Sequence, residues 1–505
     1  MPRLSIDNQA VEVPAGATIL DAARKLGVDV PALCFYAGHP PNNSCMVCLV
    51  KTGGRWVPSC ATPAEEGMVV ESETPEVRAL RRTGLELLLS HHQGDCAAPC
   101  EHACPLHMNV PLMLRQVSED DPLGAIATIR RDVALPSVLA RVCGGMCEKA
   151  CRRKEVDAPA AICLIQQCVA DADLASSRPY LPPRRPAVGK RVAVLGAGPM
   201  GLTAAYHLLL AGYDCTLFDP HERPGGMLRY EIPPERLPRH ILDREIALIE
   251  RLGARFEMGA RLQDEALRSR MNAGFSAILL ADGPFETGVV ERIQAGSVPV
   301  FVAGEIHRPH QQPARLMGDG KHAAECIDRH LRGDADAGAE AVFHFRAGRV
   351  PHEEIVALTV RAGSAPRVAT PPSGSGLTFE QARTEALRCL HCDCGKRDGC
   401  VLRHYAAMLG AQPGRYRGQR RPIQRQAMTG GVIYEPGKCI LCGICVRIAT
   451  AAKEPLGLTF VGRGFDVRVA APFDRAIEEG LTRTADECAR ACPTGALSST
   501  PSHDF

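Results

Sequence analysis

The residues of this chain best able to do chemistry are its 23 cysteines, most of them at metal-ligand spacings. Cys34, Cys45, Cys48 and Cys60 follow C-x10-C-x2-C-x11-C. His92 opens H-x3-C-x3-C-x3-C through Cys96, Cys100 and Cys104, and Cys143, Cys147 and Cys151 repeat the C-x3-C spacing. Cys389, Cys392, Cys394 and Cys400 crowd one short stretch, and Cys439, Cys442 and Cys445 form C-x2-C-x2-C, with Cys488 and Cys492 near the end. In a long chain with no signal-peptide pattern, such groups point to metal sites rather than disulfides. Thiolate-held iron–sulfur clusters move single electrons. Cys163, Cys168, Cys215 and Cys326 stand outside these groups and read as small buried residues.

A second kind of chemistry is written in Lys190–Asp219. Val192, Val194 and Leu195 predict a short buried strand. Gly196, Gly198 and Gly201 then form G-x-G-x-x-G, with Pro199 and Met200 inside the turn. The glycines permit the turn, a pyrophosphate against the backbone, and close helix–strand packing. Asp219 closes the next strand about 20 residues on, where an acid accepts from ribose hydroxyls. The bland alternative is a glycine turn without a ligand. Gly225 and Gly226 allow another close backbone approach.

The elements that must position these residues predict several domains, as the length also does. Net charge is +2 and 45% of residues are hydrophobic. Nothing favours nucleic acid, no apolar run is long enough for membrane insertion, and a cytoplasmic protein is expected. Residues 1–75 open with strands Arg3–Ile6 and Ala10–Val13 and a helix Ile19–Leu26 capped by Thr18. The four cysteines that follow suit a [2Fe–2S] centre, with zinc as the alternative. This stretch resembles the N-terminal domain of the large cluster-carrying subunit of complex I-type NADH dehydrogenases, of iron-only hydrogenases and of related formate dehydrogenases. The resemblance implies a β-grasp ferredoxin fold.

Residues 76–180 read as helical. Their cysteine groups resemble the N-terminal domain of the glutamate synthase small subunit and dihydropyrimidine dehydrogenase, which holds two [4Fe–4S] clusters. Carried over by position, the resemblance implies His92, Cys96, Cys100 and Cys151 for one cluster. It implies Cys104, Cys143, Cys147 and Gln166 for the other. His92 stands where the family has a cysteine. A solvent-facing histidine and a helix-surface amide are the alternatives for His92 and Gln166.

Pro179–Pro186 reads as a stiff linker. Residues 187–335 resemble the Rossmann-like FAD domain of the same family, whose P-G-G-x-L segment lies against the flavin. That implies contacts from Gly225, Gly226 and Leu228, and from Gly304 and Glu305 farther on. Glu231 and Glu305 depart from the family's glycine and aspartate. The family's NADPH domain is missing: FSAILLADG and VPVFVAGE lie too close in sequence for a βαβ unit, which needs roughly 30 residues.

Residues 336–425 read as a connector carrying Cys389, Cys392, Cys394 and Cys400, which suit either a [4Fe–4S] cluster or zinc. The basic run Arg415–Arg425 is either a solvated face or a docking surface. Residues 426–505 read as a ferredoxin-like domain. In two-cluster ferredoxins the fourth cysteine of each motif serves the other cluster. Here Ala449, Thr482 and Ala485 replace three ligands of one cluster. One [4Fe–4S] on Cys439, Cys442, Cys445 and Cys492 remains, and Cys488 is spare. LTFVGRGFDVRVAAPF, between the two motifs, again resembles the complex I large subunit and related formate dehydrogenases.

These readings predict a multidomain α/β and α+β protein: β-grasp ferredoxin, helical iron–sulfur domain, Rossmann-like FAD domain and C-terminal ferredoxin-like domain. The implied cofactors are FAD, one [2Fe–2S] and three or four [4Fe–4S]. No acid–base pair or catalytic triad is seen. The expected function is an oxidoreductase subunit passing electrons between a pyridine-nucleotide flavoprotein and a hydrogenase- or formate dehydrogenase-type subunit. The alternatives are an independent NAD(P)H:acceptor oxidoreductase and a zinc-bearing scaffold.

Overall fold

The computed structural model describes residues 1–260, 269, 274–281, 298–303, 312–334, 343–364, 366–369, 376–428 and 430–499. The chain forms two compact units. The first comprises Met1–Ala97, Ala339–Arg361 and His391–Phe505, and the second Ala98–Gly338 and Ala362–Leu390.

The first unit opens with strands β1 (Arg3–Ile6), β2 (Gln9–Glu12), β3 (Leu49–Thr52), β4 (Arg55–Pro58) and β5 (Val69–Glu71) in the order β2-β1-β5-β3-β4. β1 runs antiparallel to β2 and parallel to β5. The helix Ile19–Lys25 starts at a Thr18–Asp21 capping box, which satisfies two amides that a helix start leaves without partners. Ile19, Leu20, Val50 and Val70 build a core that takes in Cys48 and Cys60. The helix Pro75–Ser90 begins at Thr74, with proline in its first turn, and buries Val77, Leu85 and Leu89. It also buries Arg81, which donates to Leu49 O and pairs with Glu73.

In the second unit, helices Val110–Ser118 and Pro122–Asp132 are capped by Asn109 and Asp121, and Pro136–Val142 and Ile162–Ala175 follow. The sheet is parallel throughout: β6 (Arg191–Leu195), β7 (Asp214–Asp219), β8 (Arg255–Met258), β9 (Ala277–Leu280) and β10 (Val300–Val302), in the order β10-β9-β6-β7-β8. β6 and β9 are apolar almost throughout, as strands covered on both faces must be. The helix Pro313–Arg332 packs on the helix Pro199–Leu210, and a Cβ at Gly320 would lie 2.3 Å from Met200 O. The proline-rich linker is pinned rather than free: Arg184 donates to the carbonyls of Leu209, Leu252 and Tyr213.

The rest of the first unit holds β11 (Gln426–Ala427), β12 (Val432–Tyr434), β13 (Thr459–Val461), β14 (Arg468–Ala470) and β15 (Leu497–Ser499). β11-β12-β15 form one sheet and β13-β14 a hairpin. The basic run is largely spent inside this unit. Arg415 pairs with Glu86, Arg420 with Glu354 and Arg425 with Glu435, while Arg421 lies over Phe465.

Candidate functional site

Cys34, Cys45, Cys48 and Cys60 are buried side by side, with Cys48 and Cys60 Sγ 3.4 Å apart. The loop between them holds Asn43 and Met46 at left-handed φ of 52° and 54°. That turns backbone N–H groups onto sulfur. Hydrogen bonding from Cys45 and Cys60, with help from the Ser44 and Cys45 amides, pulls Cys34 far below the thiol range. A bond from Cys60 brings Cys48 down to about 7. Their partners Cys60 and Cys45 are pushed up by those same contacts and by burial. Four such thiols cannot all ionise together unless a metal shares the charge, so the donor set fits a cluster.

The terminal motif is built differently. Cys439, Cys442, Cys445 and Cys492 line one small enclosed cavity with Tyr434, Ile444, Val469 and Leu497. Burial dominates here. It pushes Cys439 up to about 11, though the Leu441 amide reaches its sulfur at 3.4 Å, and it pushes Cys442 and Cys445 higher. Cys488 is not in that lining and leans on Cys445 O at 3.8 Å. Where a second cluster would have taken ligands there is a polar knot instead. Glu454 accepts from Thr482 Oγ1, Arg483 N and both N and Oγ1 of Thr484 at 2.7–2.9 Å, and its own amide bonds Ala449 O.

The third group differs from the set carried over by resemblance, which joined His92 and Cys96 to Cys100 and Cys151. Cys96 belongs to the first unit, and Cys100 and Cys151 to the second. Cys96 Sγ accepts from the Phe345 amide at 3.3 Å, and its carbonyl receives the Cys394 amide at 3.4 Å. Cys394, Cys96 and Cys492 are among the titratable groups facing Cys400, and Lys396 faces it as well. The crowded Cys389–Cys400 stretch is thus divided: Cys394 and Cys400 lie with Cys96, while Cys389 belongs to the second unit. His92 is buried, its ring packs edge-on against Phe345 at 5.1 Å, and its Nδ1 has no hydrogen-bond partner. Burial and the Lys438 charge bring its pKa down to about 3, so the ring is neutral and able to donate a lone pair to a metal.

In the second unit Cys163, rather than the Gln166 that the resemblance implied, lies against Cys143 and Cys147. Cys163 hydrogen-bonds Cys143 and Cys147, and the Cys163 contact brings Cys143 down to about 6. Cys104 faces the same two cysteines. Gln166, about one turn along the helix, spends its Nε2 on Pro136 O at 3.0 Å. The overlooked signal was an unassigned thiol just before Gln166 in sequence. Cys151 is half-buried, with amides of Ala160 and Arg153 turned toward it and Arg388 nearby. Among the described residues no set of three or more His, Cys, Asp or Glu side chains is arranged to hold a single ion.

At the glycine turn, a Cβ on Gly201 would lie 1.9 Å from Gly196 O, and one on Gly226 2.7 Å from Gly198 Cα. Gly225 N bonds Ala197 O, and Leu228 is buried beneath. No side chain caps the helix at Gly198, and the positive end of the helix dipole there favours an anion. Asp219 accepts from Ala197 N at 2.7 Å, from His221 N at 2.9 Å, and contacts His221 Nδ1 at 2.7 Å. An ionised carboxylate has about four acceptor positions, so room for a ribose hydroxyl remains. Gly304 and Glu305 lie outside the described residues.

Comparison with known proteins places the class first. Residues 2–75 match the 2Fe-2S iron-sulfur cluster binding domain, residues 93–178 the 4Fe-4S domain II of dihydropyrimidine dehydrogenase, and residues 194–256 an NAD(P)-binding Rossmann-like domain. The chain is thus a mixed α/β multidomain protein with two iron–sulfur domains and a Rossmann-like domain. Among curated relatives it is 32% identical over 266 residues to the NADPH-Fe(3+) oxidoreductase subunit beta of Geobacter sulfurreducens, covering 50% of this chain and 39% of that one. It is 36% identical over 207 residues to the NADP(+)-dependent formate dehydrogenase subunit beta of Moorella thermoacetica, 37% of this chain and 29% of that one. It is 44% identical over 98 residues to an NADH-quinone oxidoreductase subunit of Rhizobium meliloti, 19% of this chain and 12% of that one. The chain therefore spans well under half the length of each, and all three are oxidoreductase subunits. No helix among the described residues is long and apolar enough to cross a membrane.

Proposed function

We propose that this chain is an electron-transfer subunit of a cytoplasmic redox complex, holding a [2Fe–2S] centre on Cys34, Cys45, Cys48 and Cys60 and a [4Fe–4S] cluster on Cys439, Cys442, Cys445 and Cys492. His92, Cys96, Cys394 and Cys400 hold a second [4Fe–4S] cluster, and Cys104, Cys143, Cys147 and Cys163 a third. Cys100, Cys151 and Cys389 are ligands of a further cluster. FAD lies on the glycine turn, between Gly226 and the uncapped helix start, with Asp219 toward its ribose. When bound, FAD would join two-electron donors to one-electron carriers.

The observation that carries this reading is the continuity of thiol groups in the first unit. Cys442 faces Cys34, and Arg447 of the terminal motif donates to Cys34 O at 3.0 Å. Beyond Cys492, Pro493 O receives the Leu402 amide at 3.1 Å and is approached by Cys400 Sγ at 3.8 Å. Three ligand sets in succession suit a wire, not a scaffold. The partners are a pyridine-nucleotide flavoprotein on one side and a hydrogenase- or formate dehydrogenase-type subunit on the other. An independent NAD(P)H oxidoreductase is the second reading, favoured by the match of residues 194–256 to an NAD(P)-binding domain.

The test is anaerobic. The purified chain is mixed with NADH or NADPH and then with dithionite, while flavin and cluster absorption are followed. Bleaching by dithionite alone supports the subunit. Rapid stoichiometric bleaching by NADPH supports the independent enzyme and overturns the first reading.

A further inference from the structure

The first unit sets two lysines against its thiols, Lys438 buried and Lys396 half-buried. Lys438 is only 3% exposed. Its stem runs through a slot kept open by glycine. A Cβ on Gly94 would meet Lys438 Cε at 2.5 Å, and one on Gly495 would meet Cys394 Sγ at 2.2 Å and Lys438 Cδ at 3.5 Å. The Lys438 ammonium pairs with Glu435 and faces Cys394 and Arg425. Glu435 also accepts two bonds from Arg425, at 3.1 and 3.2 Å, so one carboxylate serves two cations. Arg425 in turn faces Cys392 and Asp393. Lys396 Nζ donates to Ala489 O and Arg490 O at 2.7 Å and to Cys492 O, and the charged groups facing it are Cys492, Cys400 and Cys394.

We propose that Lys438 and Lys396 form a cationic seam between the Cys96–Cys394–Cys400 group and the Cys439–Cys492 group, raising the reduction potential of the cluster each group holds, with Glu435 as the opposing charge. This rests on the cluster reading above. Each one-electron reduction adds a negative charge to a thiolate-held cluster, and cluster charge and its surroundings set the potential. A buried cation acts on that charge with little screening by salt. Lys438 and Lys396 both face Cys394, and Lys396 also holds the carbonyl of Cys492. The seam thus lies where the second ligand set of the wire meets the third. Both lysines are positioning residues: neither is a ligand.

The test uses the full chain, purified anaerobically with its clusters and titrated with dithionite under paramagnetic resonance. The variants are Lys438→Met, Lys396→Met, Lys396→Arg and Glu435→Gln. Each methionine variant is expected to lower the reduced-to-oxidised ratio of a [4Fe–4S] signal about tenfold at fixed potential, about 59 mV for a one-electron couple. Lys396→Arg should keep the native midpoint, and Glu435→Gln should shift in the opposite direction. The [2Fe–2S] midpoint should stay unchanged in all four. Opposite signs separate a charge effect from loosened packing, and the Lys396 and Glu435 variants decide the matter if Lys438→Met does not fold. Unchanged midpoints, or a shift of one sign in every variant, would overturn the seam while leaving the wire standing. Absence of both [4Fe–4S] signals from the native chain would overturn the cluster reading and the seam with it.

Discussion

The N-terminal and terminal thiol groups of the first unit prepare sulfur in opposite ways. At Cys34–Cys60, donors outweigh burial at two sulfurs, and Cys34 and Cys48 are drawn down. At Cys439–Cys492 the apolar cavity wins, and Cys439, Cys442 and Cys445 are all pushed up. Hydrogen bonds between thiols make most of the difference, from Cys45 and Cys60 to Cys34 and from Cys60 to Cys48, and backbone amides add a smaller part. The first loop spends two left-handed residues, Asn43 and Met46, on turning amides inward. The terminal motif has Leu441 and Gly443 in that conformation, but Tyr434, Val469 and Leu497 close over it. Amide donors stabilise negative sulfur and dry walls penalise it. The terminal cavity therefore has more need of cations such as Lys396.

The largest effects come from removing ligands. Cys48→Ser should abolish the [2Fe–2S] signal and leave the [4Fe–4S] signals. Cys492→Ser should do the reverse for one [4Fe–4S], and Cys488→Ser should change neither. Cys96→Ser and Cys394→Ser should erase the same signal. Cys163→Ser should erase a different one, while Gln166→Leu spares it. Iron content and resonance spectra of the purified variants check all of these. If Cys96→Ser and Cys394→Ser removed different signals, the third group would not be a single ligand set.

Those pairs also mark where the sequence could be read and where it could not. The glycine turn and Asp219 were legible because strand, turn and helix are contiguous, and so was the Thr18 cap. The terminal group was legible from a crossing rule, which pointed to Cys492 over Cys488. The third group was not. Its halves, His92–Cys96 and Cys394–Cys400, flank the second unit in sequence, and no local pattern links them. Physically the arrangement is inexpensive. Each doubling of an inserted length costs only about 0.6 kcal/mol in loop closure. The resemblance set Cys96 with its sequence neighbour Cys100, whereas the two cysteines belong to different units. Cys163 was missed for another reason: it has no motif spacing, and only the fold brings it to Cys143 and Cys147.

An intermediate effect is expected behind the terminal group. Burial pushes the Glu454 carboxyl up, but donors from Thr482, Arg483 and Thr484 outweigh it and hold it down at about 2. An unfolded glutamate titrates near 4.3. Between those values the unfolded chain binds the extra proton. The stabilisation from Glu454 is therefore complete above about 4.3 and is lost as pH falls through about 2. Hydrogen bonds to a charged group are worth about 1.5–3 kcal/mol, so Glu454→Gln should cost about 2 kcal/mol at neutral pH and flatten the acid limb of the denaturation profile. An unchanged acid limb would mean that the knot is ornamental and that nothing compensates for the missing second cluster.

The smallest effect bears most directly on the two loops. Met46 is 47% exposed at a φ of 54°, and Leu441 has a φ of 57°. A side chain in that region costs roughly 1–2 kcal/mol, while glycine carries an entropic cost of roughly 0.5–1 kcal/mol. Met46→Gly should therefore gain up to about 1 kcal/mol, since an exposed methionine gives up little packing. Leu441→Gly removes the same strain but takes a half-buried side chain from the motif, so its gain should be cancelled or reversed. Chemical denaturation of both variants, read by near-ultraviolet circular dichroism, makes the comparison. Equal gains would mean that the terminal cavity owes nothing to Leu441, and that its dryness comes from Tyr434, Val469 and Leu497 alone.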